Sequence, residues 1–390
     1  MDRLHIAFFG PVNSGKSSLI NTLAGQEVSL VSPIPGTTTD PVRKTIELPG
    51  LGPCVLIDTA GLDDGSLLGS ERERRTRAIV DETDIAVVLV TPVSQKHGHR
   101  CQKPGFFASG VPNFGTPDAP PVIYVSSKCD LGEDAPEWAL PVSTVTGEGI
   151  GALLERMAEV APKEEQKWLT GKLVKPGDCV LLVMPQDSEA PKGRLILPQV
   201  QVLRELLDRR CNALCCTPES LHSALEKVTP DLVITDSQVF ALVNAAIPAE
   251  MPLTSFSVLL AAAKGDIATF VEGASAIDRL TPNSRVLIAE ACTHVPDSED
   301  IGRVKIPALL RASVGSGSTG SLTINIAAGN DFPEDLAPYD LIIHCGACVA
   351  TKTLVHSRIR KALLAGVPIT NYGIALAKLQ GILDRIQIPR

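Results

Sequence analysis

Residues 10–17 read Gly-Pro-Val-Asn-Ser-Gly-Lys-Ser, a fit to G-x-x-x-x-G-K-[ST], and this run limits the fold more tightly than any other in the chain. Such a loop works only between a buried strand and a helix. Its amides converge on phosphate oxygens, and the helix N-terminus behind them favours negative charge. Leu4 to Gly10 (LHIAFFG) supplies the apolar run, and Ser18 to Ala24 (SLINTLA) the helical one. A chance match would not carry both flanks. Gly10, Asn13, Ser14, Gly15, Lys16, Ser17 and Ser18 are therefore candidate nucleotide-binding residues, with Lys16 reaching the β and γ oxygens and Ser17 ligating Mg2+.

The companions arrive in order. Pro33 to Asp40 is a Pro/Gly segment carrying hydroxyls. Val55 to Ile57 reads as a strand ending in Asp58-Thr-Ala-Gly61, where Asp58 holds magnesium through water and the Gly61 amide senses the γ-phosphate. Ile85 to Val90 and Val122 to Val125 read as further strands. The second leads to Ser127-Lys128-Cys129-Asp130, whose carboxylate can accept from guanine N1 and N2, and Val142 to Ile150, with Ser143, closes the base pocket.

These five motifs, over about the first 160 residues, resemble the translation-factor-like GTPases of the TrmE and Era group. The resemblance implies GTP/GDP as ligand and slow hydrolysis in which Lys16, Thr38, Asp58 and Gly61 take part. It makes Thr38 the switch threonine on magnesium and Asn13 a K+-binding residue, as in cation-activated members. Two positions depart from the pattern. Ser127 stands where Asn begins the base motif, and Leu62 follows Gly61 in place of Gln. The water-orienting residue is left open among Asp63, Asp64 and Glu71. Between Thr91 and Pro120 the prolines break the helix this fold would place there, and His97-Gly-His99-Arg-Cys101 reads as part of a solvated loop.

Past Glu165 the chain alternates strand and helix, with strands expected over Asn212–Cys216, Leu232–Thr235 and Leu253–Ser257 and a final helix over Tyr372–Ile386, which predicts two further, smaller parallel-sheet α/β domains. The expected fold class is thus α/β in three domains: a P-loop GTPase fold over 1–163, a middle domain over 172–257, and a C-terminal domain over 258–390. The middle domain shows no catalytic cluster, and self-association is its expected role. Its Cys211, Cys215 and Cys216 read as small buried hydrophobes, since neighbours on a strand face opposite ways. His5, His222 and His356 read as structural or surface residues. A net charge of -8 argues against a broad nucleic-acid surface. The N-terminus does not read as a signal peptide and no apolar run reaches a membrane span, so a cytoplasmic location is expected. Ten cysteines there are thiols or ligands rather than disulfides.

The C-terminal third gathers soft ligands at two points, each after an apolar run: Cys292-Thr-His294 and His344-Cys345-Gly-Ala-Cys348. Ligands beyond the carboxyl ends of parallel strands occupy the usual crevice of such folds. The residues fit zinc with three thiolates and a histidine, or a [4Fe–4S] cluster held by three cysteines. Two histidines beside three thiolates are one ligand too many for a closed zinc site, which tilts the reading toward a cluster.

The C-x-H and H-C-x-x-C pair downstream of such a GTPase domain resembles the HydF family of [FeFe]-hydrogenase maturation GTPases. Ala190 to Gln199 (APKGRLILPQ), Glu290 to His294, Asp300 to Pro307 and Ile369 to Gly373 carry the same likeness. It implies a dimerisation domain in the middle and a cluster domain at the end. Cys292, Cys345 and Cys348 become the cluster thiolates, with His294 and His344 as candidates for a fourth ligand or for a place beside the fourth iron. The implied role is scaffold or carrier of a transient diiron precursor. The implied partners are the radical-SAM maturases HydE and HydG, the apo-[FeFe]-hydrogenase, and a second copy in a homodimer. The alternatives are a zinc-containing GTPase of RNA or ribosome maturation, which the acidic balance opposes, and a cluster-dependent redox enzyme or hydro-lyase, for which no second substrate motif exists.

Overall fold

The computed structural model describes residues 3–11, 13–25, 41–59, 69–90, 119–131, 135–162, 168–186, 193, 195–291, 300–314, 321–329, 331–348 and 350–389. The chain forms two compact units, Met1–Glu164 and Glu165–Arg390.

The first unit is built on a six-stranded sheet. Its strands are β1 (Leu4–Phe9), β2 (Val42–Leu48), β3 (Gly52–Asp58), β4 (Ile85–Val90), β5 (Val122–Ser127) and β6 (Leu140–Val142), in the order β2-β3-β1-β4-β5-β6. Only β2 runs antiparallel to its neighbour. The central strands are apolar along their whole length because helices cover both faces. Ile6, Phe8, Leu56, Val87 and Leu89 fill one core, and Ala7, Phe9, Ile57 and Val88 the other. The helices are α1 (Lys16–Ala24), α2 (Gly69–Glu82) and α3 (Ile150–Val160). The sequence reading omits β2, β6 and α2. β2 is an edge strand with every second residue half-exposed, and α2 opens on a charged run (GSERERR) that carries no apolar stripe.

The second unit holds two four-stranded, all-parallel sheets. One has β7 (Cys179–Val183), β8 (Asn212–Cys216), β9 (Leu232–Thr235) and β10 (Leu253–Ser255), ordered β10-β9-β7-β8. The other has β11 (Arg285–Glu290), β12 (Thr323–Ala328), β13 (Leu341–His344) and β14 (Ile369–Asn371), ordered β12-β11-β13-β14. The helices are α4 (Leu197–Asp208), α5 (Leu221–Lys227), α6 (Phe240–Ala246), α7 (Phe256–Lys264), α8 (Ile267–Ala274), α9 (Ile306–Val314), α10 (Lys352–Leu364) and α11 (Tyr372–Leu379).

The two sheets share one hydrophobic core, in which Leu181 and Val233 join Leu287, Ile343 and Leu376. Helix α7 makes the join. Val258 and Ala261 enter the shared core, while Phe256 and Leu259 pack into the outer core of the first sheet. The expected strand over 253–257 stops at Ser255 because Ser255 caps α7, its Oγ accepting from the Val258 amide at 3.2 Å. The expected final helix, drawn to Ile386, ends at Leu379. Gly381 follows in the left-handed region (φ 70°), and Ile386 instead pairs with Leu253 of β10. Cys211 is buried as expected, but Cys215 is exposed. It sits on β8, the edge strand of its sheet among the described residues.

Candidate functional site

The nucleotide loop forms where the carboxyl ends of β1 and β3 meet, with Phe8 opposite Asp58 in the register. Gly10 has φ 150°, and a Cβ there would lie 2.7 Å from the Leu89 carbonyl, so only glycine lets the loop leave β1 this closely. Lys16 begins α1 and turns back along the loop. Its ammonium donates to the carbonyls of Gly10 (2.9 Å) and Pro11 (2.8 Å). The same ammonium can exchange these carbonyls for phosphate oxygens, being already at the turn of the loop. Ser17 Oγ donates to Asp58 Oδ2 at 2.6 Å, which brings the two expected magnesium-side groups into one contact.

The base side is tied to the same loop. Ser127 Oγ donates to the Ser14 carbonyl at 2.7 Å, and Lys128 Nζ to the Asn13 carbonyl at 3.1 Å. Ser127 therefore braces the phosphate loop from the end of β5 despite its departure from the family pattern. Ser143 Oγ accepts from the amides of Val145 and Thr146, each at 3.2 Å, and so shapes the last loop. Asp130 lies in a short helical turn (Cys129–Leu131) directly after β5. Ser18 lies in the first turn of α1. Thr38, Gly61, Asp63, Asp64 and the His97–Cys101 segment lie outside the described residues, as does the Glu71 side chain. Replacing Ser127 by Ala should remove one buried hydrogen bond, about 1 kcal/mol. GTP affinity should fall about fivefold in equilibrium titration, with the fold unchanged by circular dichroism.

The second site lies on the carboxyl rim of the last sheet. Here β11, β13 and β14 end side by side at Glu290, His344 and Asn371. Cys345 Sγ accepts from two backbone amides, Ala291 at 3.1 Å and Ala347 at 3.4 Å. Amide N–H groups aimed at sulfur favour the thiolate over the thiol. Ala347 takes φ 51°, so the turn carrying Cys348 is held in a conformation that costs a non-glycine residue energy. Both thiols are partly exposed. Cys292 and His294 lie outside the described residues, and among the described residues no three His, Cys, Asp or Glu groups converge on a metal position.

His344 is buried beneath this turn. Arg358, also buried, donates from Nη1 to His344 Nε2 (3.1 Å) and to the Glu290 carbonyl (3.2 Å), and from Nη2 to the Gly329 carbonyl (2.5 Å). A guanidinium only donates, so Nε2 accepts and Nδ1–H donates to the Cys345 carbonyl at 2.8 Å. Burial and the adjacent Arg358 push the imidazole pKa down to about 3, and the ring is neutral. Both ring nitrogens are thus engaged with protein groups. Nearby, Glu290 is buried in an ion pair with Arg303, Nη2 to Oε2 at 2.7 Å. Asn371 Nδ2 donates to the Cys345 carbonyl at 3.3 Å. Sequence reading misses Lys264, Glu290, Arg358 and Tyr372 as neighbours of the rim. Their signal in the chain is only that of a helix end, a strand end, a helix interior and a helix start.

The donor chemistry of the rim fits an iron–sulfur group: a C-x-x-C turn with amide-supported sulfur, backed by a buried cation and a buried neutral histidine. Fold and sites together define a P-loop GTPase domain followed by a pair of parallel α/β sheets with a thiol rim. The chain belongs to the hydrogen maturase F family. The model of that family's dimerization domain matches residues 169–265, and that of its tetramerization domain matches 268–389. Residues 5–104 match the model described as a 50S ribosome-binding GTPase.

Curated relatives match the N-terminal part. The tRNA modification GTPase MnmE of Xanthomonas oryzae is 36% identical over 164 residues, 41% of this chain and 34% of the relative. That of Methylorubrum populi is 39% identical over 152 residues, 38% of this chain and 30% of the relative. The chain spans about a third of the length of the curated relatives it matches. Among solved structures, an Aquifex aeolicus Era variant bound to GDP·AlF4− has a TM-score of 0.36 at 20% identity, covering 56% of this chain and 93% of that one. The G domain of the T. maritima FeoB iron transporter has a TM-score of 0.27 at 20% identity, covering 40% of this chain and 98% of that one. The fold assignment stands on the strand order and the loop, not on these likenesses. No described helix is long and apolar enough to cross a membrane.

Proposed function

We propose that the chain is a GTP-hydrolysing scaffold or carrier that binds a [4Fe–4S] cluster and assembles or delivers the diiron precursor of the [FeFe]-hydrogenase active site. The observation that carries this reading is the Cys345–Cys348 turn, with its amide-supported sulfur, inside the region matched by the hydrogen maturase F models. Cys345, Cys348 and Cys292 would hold the cluster. A cluster with three protein thiolates leaves one iron able to take an exchangeable ligand. His344 stands behind the turn, orienting Cys345 through its carbonyl, and is not itself a ligand in this reading; His294 keeps the place of candidate fourth ligand.

On the nucleotide side, Lys16 would neutralise charge on the β and γ oxygens, Ser17 would ligate magnesium with Asp58 holding it through water, and Asp130 would select guanine. Thr38 and Asn13 are proposed as the magnesium-side switch residue and the K+ ligand. GTP turnover acts as a switch on partner docking rather than as a source of energy for the cluster chemistry. The proposed partners are the apo-hydrogenase and the maturases HydE and HydG. Self-association is proposed through β8, the edge strand among the described residues, since a sheet edge is a template for pairing with a second copy.

The test is hydrogenase activation in a reconstituted maturation mixture containing apo-hydrogenase, HydE and HydG. Activation that depends on adding this chain supports the proposal. Full activation without it contradicts the proposal.

A further inference from the structure

Lys264 ends α7, the helix that belongs to both cores of the second unit. Its side chain is buried. Its ammonium donates to three carbonyls of one turn: Ala347 at 3.0 Å, Cys348 at 3.2 Å and Ala350 at 2.8 Å. An ammonium has three donors, and all three meet an oxygen here. Burying a charged side chain is unfavourable unless it is fully hydrogen-bonded. A helix end needing only packing would be served by Leu or Met.

The arrangement has two consequences for the C-x-x-C turn. First, it fixes the turn's shape. Ala347 holds φ 51°, a conformation alanine leaves unless its surroundings impose it. The Ala347 and Cys348 carbonyls are pinned on either side of the Cα of Cys348, so the direction of that thiol follows from the ammonium's position. In a trans peptide the N–H opposes the C=O, so holding the Ala347 carbonyl turns the Cys348 amide away from the ammonium. Second, it sets a permanent positive charge on the opposite side of the turn's backbone. Arg358 supplies another from α10.

We propose that Lys264 is a positioning residue of the thiol rim: carried on the helix shared by both sheets, it locks the Cys345–Cys348 turn and supplies fixed positive charge beneath it. Its effect on a bound cluster rests on the reading given under Proposed function; its effect on the turn does not. Because α7 also packs under the first sheet through Phe256 and Leu259, Lys264 ties the thiol turn to a helix that both sheets hold.

The experiment uses the full chain with Lys264→Met and Lys264→Gln. In the metal-free protein, iodoacetamide labelling of Cys345 and Cys348 is followed by peptide mass spectrometry, with buried Cys211 as internal control. Labelling is done at a pH high enough to ionise every thiol, so that the rate reports access rather than charge. At the two rim thiols it should be about tenfold faster in Lys264→Met and intermediate in Lys264→Gln, because the turn loses part or all of its clamp. After anaerobic loading with iron and sulfide, the reduced-to-oxidised ratio at a fixed potential should be about tenfold lower in Lys264→Met, a shift of about 59 mV to more negative potential for one electron. Loss of a buried cation disfavours the added electron, whereas loss of packing alone would not move the potential in a set direction.

Faster labelling confined to Cys345 and Cys348 in either variant supports the proposal. Parent labelling rates at both thiols, or acceleration equally shared by Cys211 in both variants, overturns it. If the parent chain takes up no cluster, the cluster reading fails while the labelling still decides the role of Lys264.

Discussion

Lys16→Ala is expected to lower GTP hydrolysis by at least about 10²–10³-fold, the cost of removing one preorganised donor from a developing negative charge. The loss should be larger than for a neutral donor, since Lys16 brings a full charge to the β and γ oxygens. Two described neighbours are held elsewhere. Lys128 is committed to the Asn13 carbonyl at the base side of the loop. Ser17 is committed to Asp58. The check is phosphate release under single-turnover conditions. Iron and sulfide content after anaerobic loading should match the parent, because the thiol rim lies in the other compact unit. A Lys16→Ala chain that hydrolyses GTP at the parent rate would remove the loop from the mechanism.

The second large effect is expected from Cys345→Ser. This sulfur accepts two amides at 3.1 and 3.4 Å, an arrangement prepared for a thiolate. A serine hydroxyl is a hard, weakly acidic ligand and cannot replace it on iron. The variant should lose nearly all of the cluster's electron paramagnetic resonance signal and all hydrogenase activation. GTP hydrolysis should stay within about twofold of the parent, the usual additivity error for independent sites. Normal iron content in Cys345→Ser would remove this thiol from the ligand set.

Much of the fold was legible because its strands are short apolar runs closed by turn residues. The expected Ile85–Val90, Asn212–Cys216 and Leu232–Thr235 coincide with β4, β8 and β9. Each is a 4–6-residue run with β-branched or small apolar residues, and the alternation with helices announces parallel sheets. The nucleotide loop was legible for a different reason: its chemistry needs fixed spacing within eight residues. Helix α8 was missed although it carries a readable start. Asp266 caps it, Oδ1 accepting from the Ala268 and Thr269 amides at 3.0 and 3.2 Å. Helix α9 hides behind a π-helical turn over Ile301–Lys305.

The rim was legible only in its cysteines and histidines. Lys264-Gly265 reads along the chain as an ordinary helix end, with a basic residue in the last turn. Its three carbonyl partners lie more than eighty positions away in sequence, as the separations of 83, 84 and 86 show. Arg358 is equally silent, since a long-range contact leaves no local period. Cys215 illustrates the converse. Local pattern called for burial, but strand order put β8 at the edge, and strand order is a property of the whole sheet.

The central claim is that one chain carries both a guanine-nucleotide loop and an iron–sulfur rim. The most direct measurement is metal analysis with electron paramagnetic resonance of the full chain, purified without air and then reduced. The account predicts a brown protein containing iron and acid-labile sulfide, whose reduced form gives a [4Fe–4S] signal that Cys345→Ser abolishes. A colourless protein with stoichiometric zinc and no such signal would contradict it.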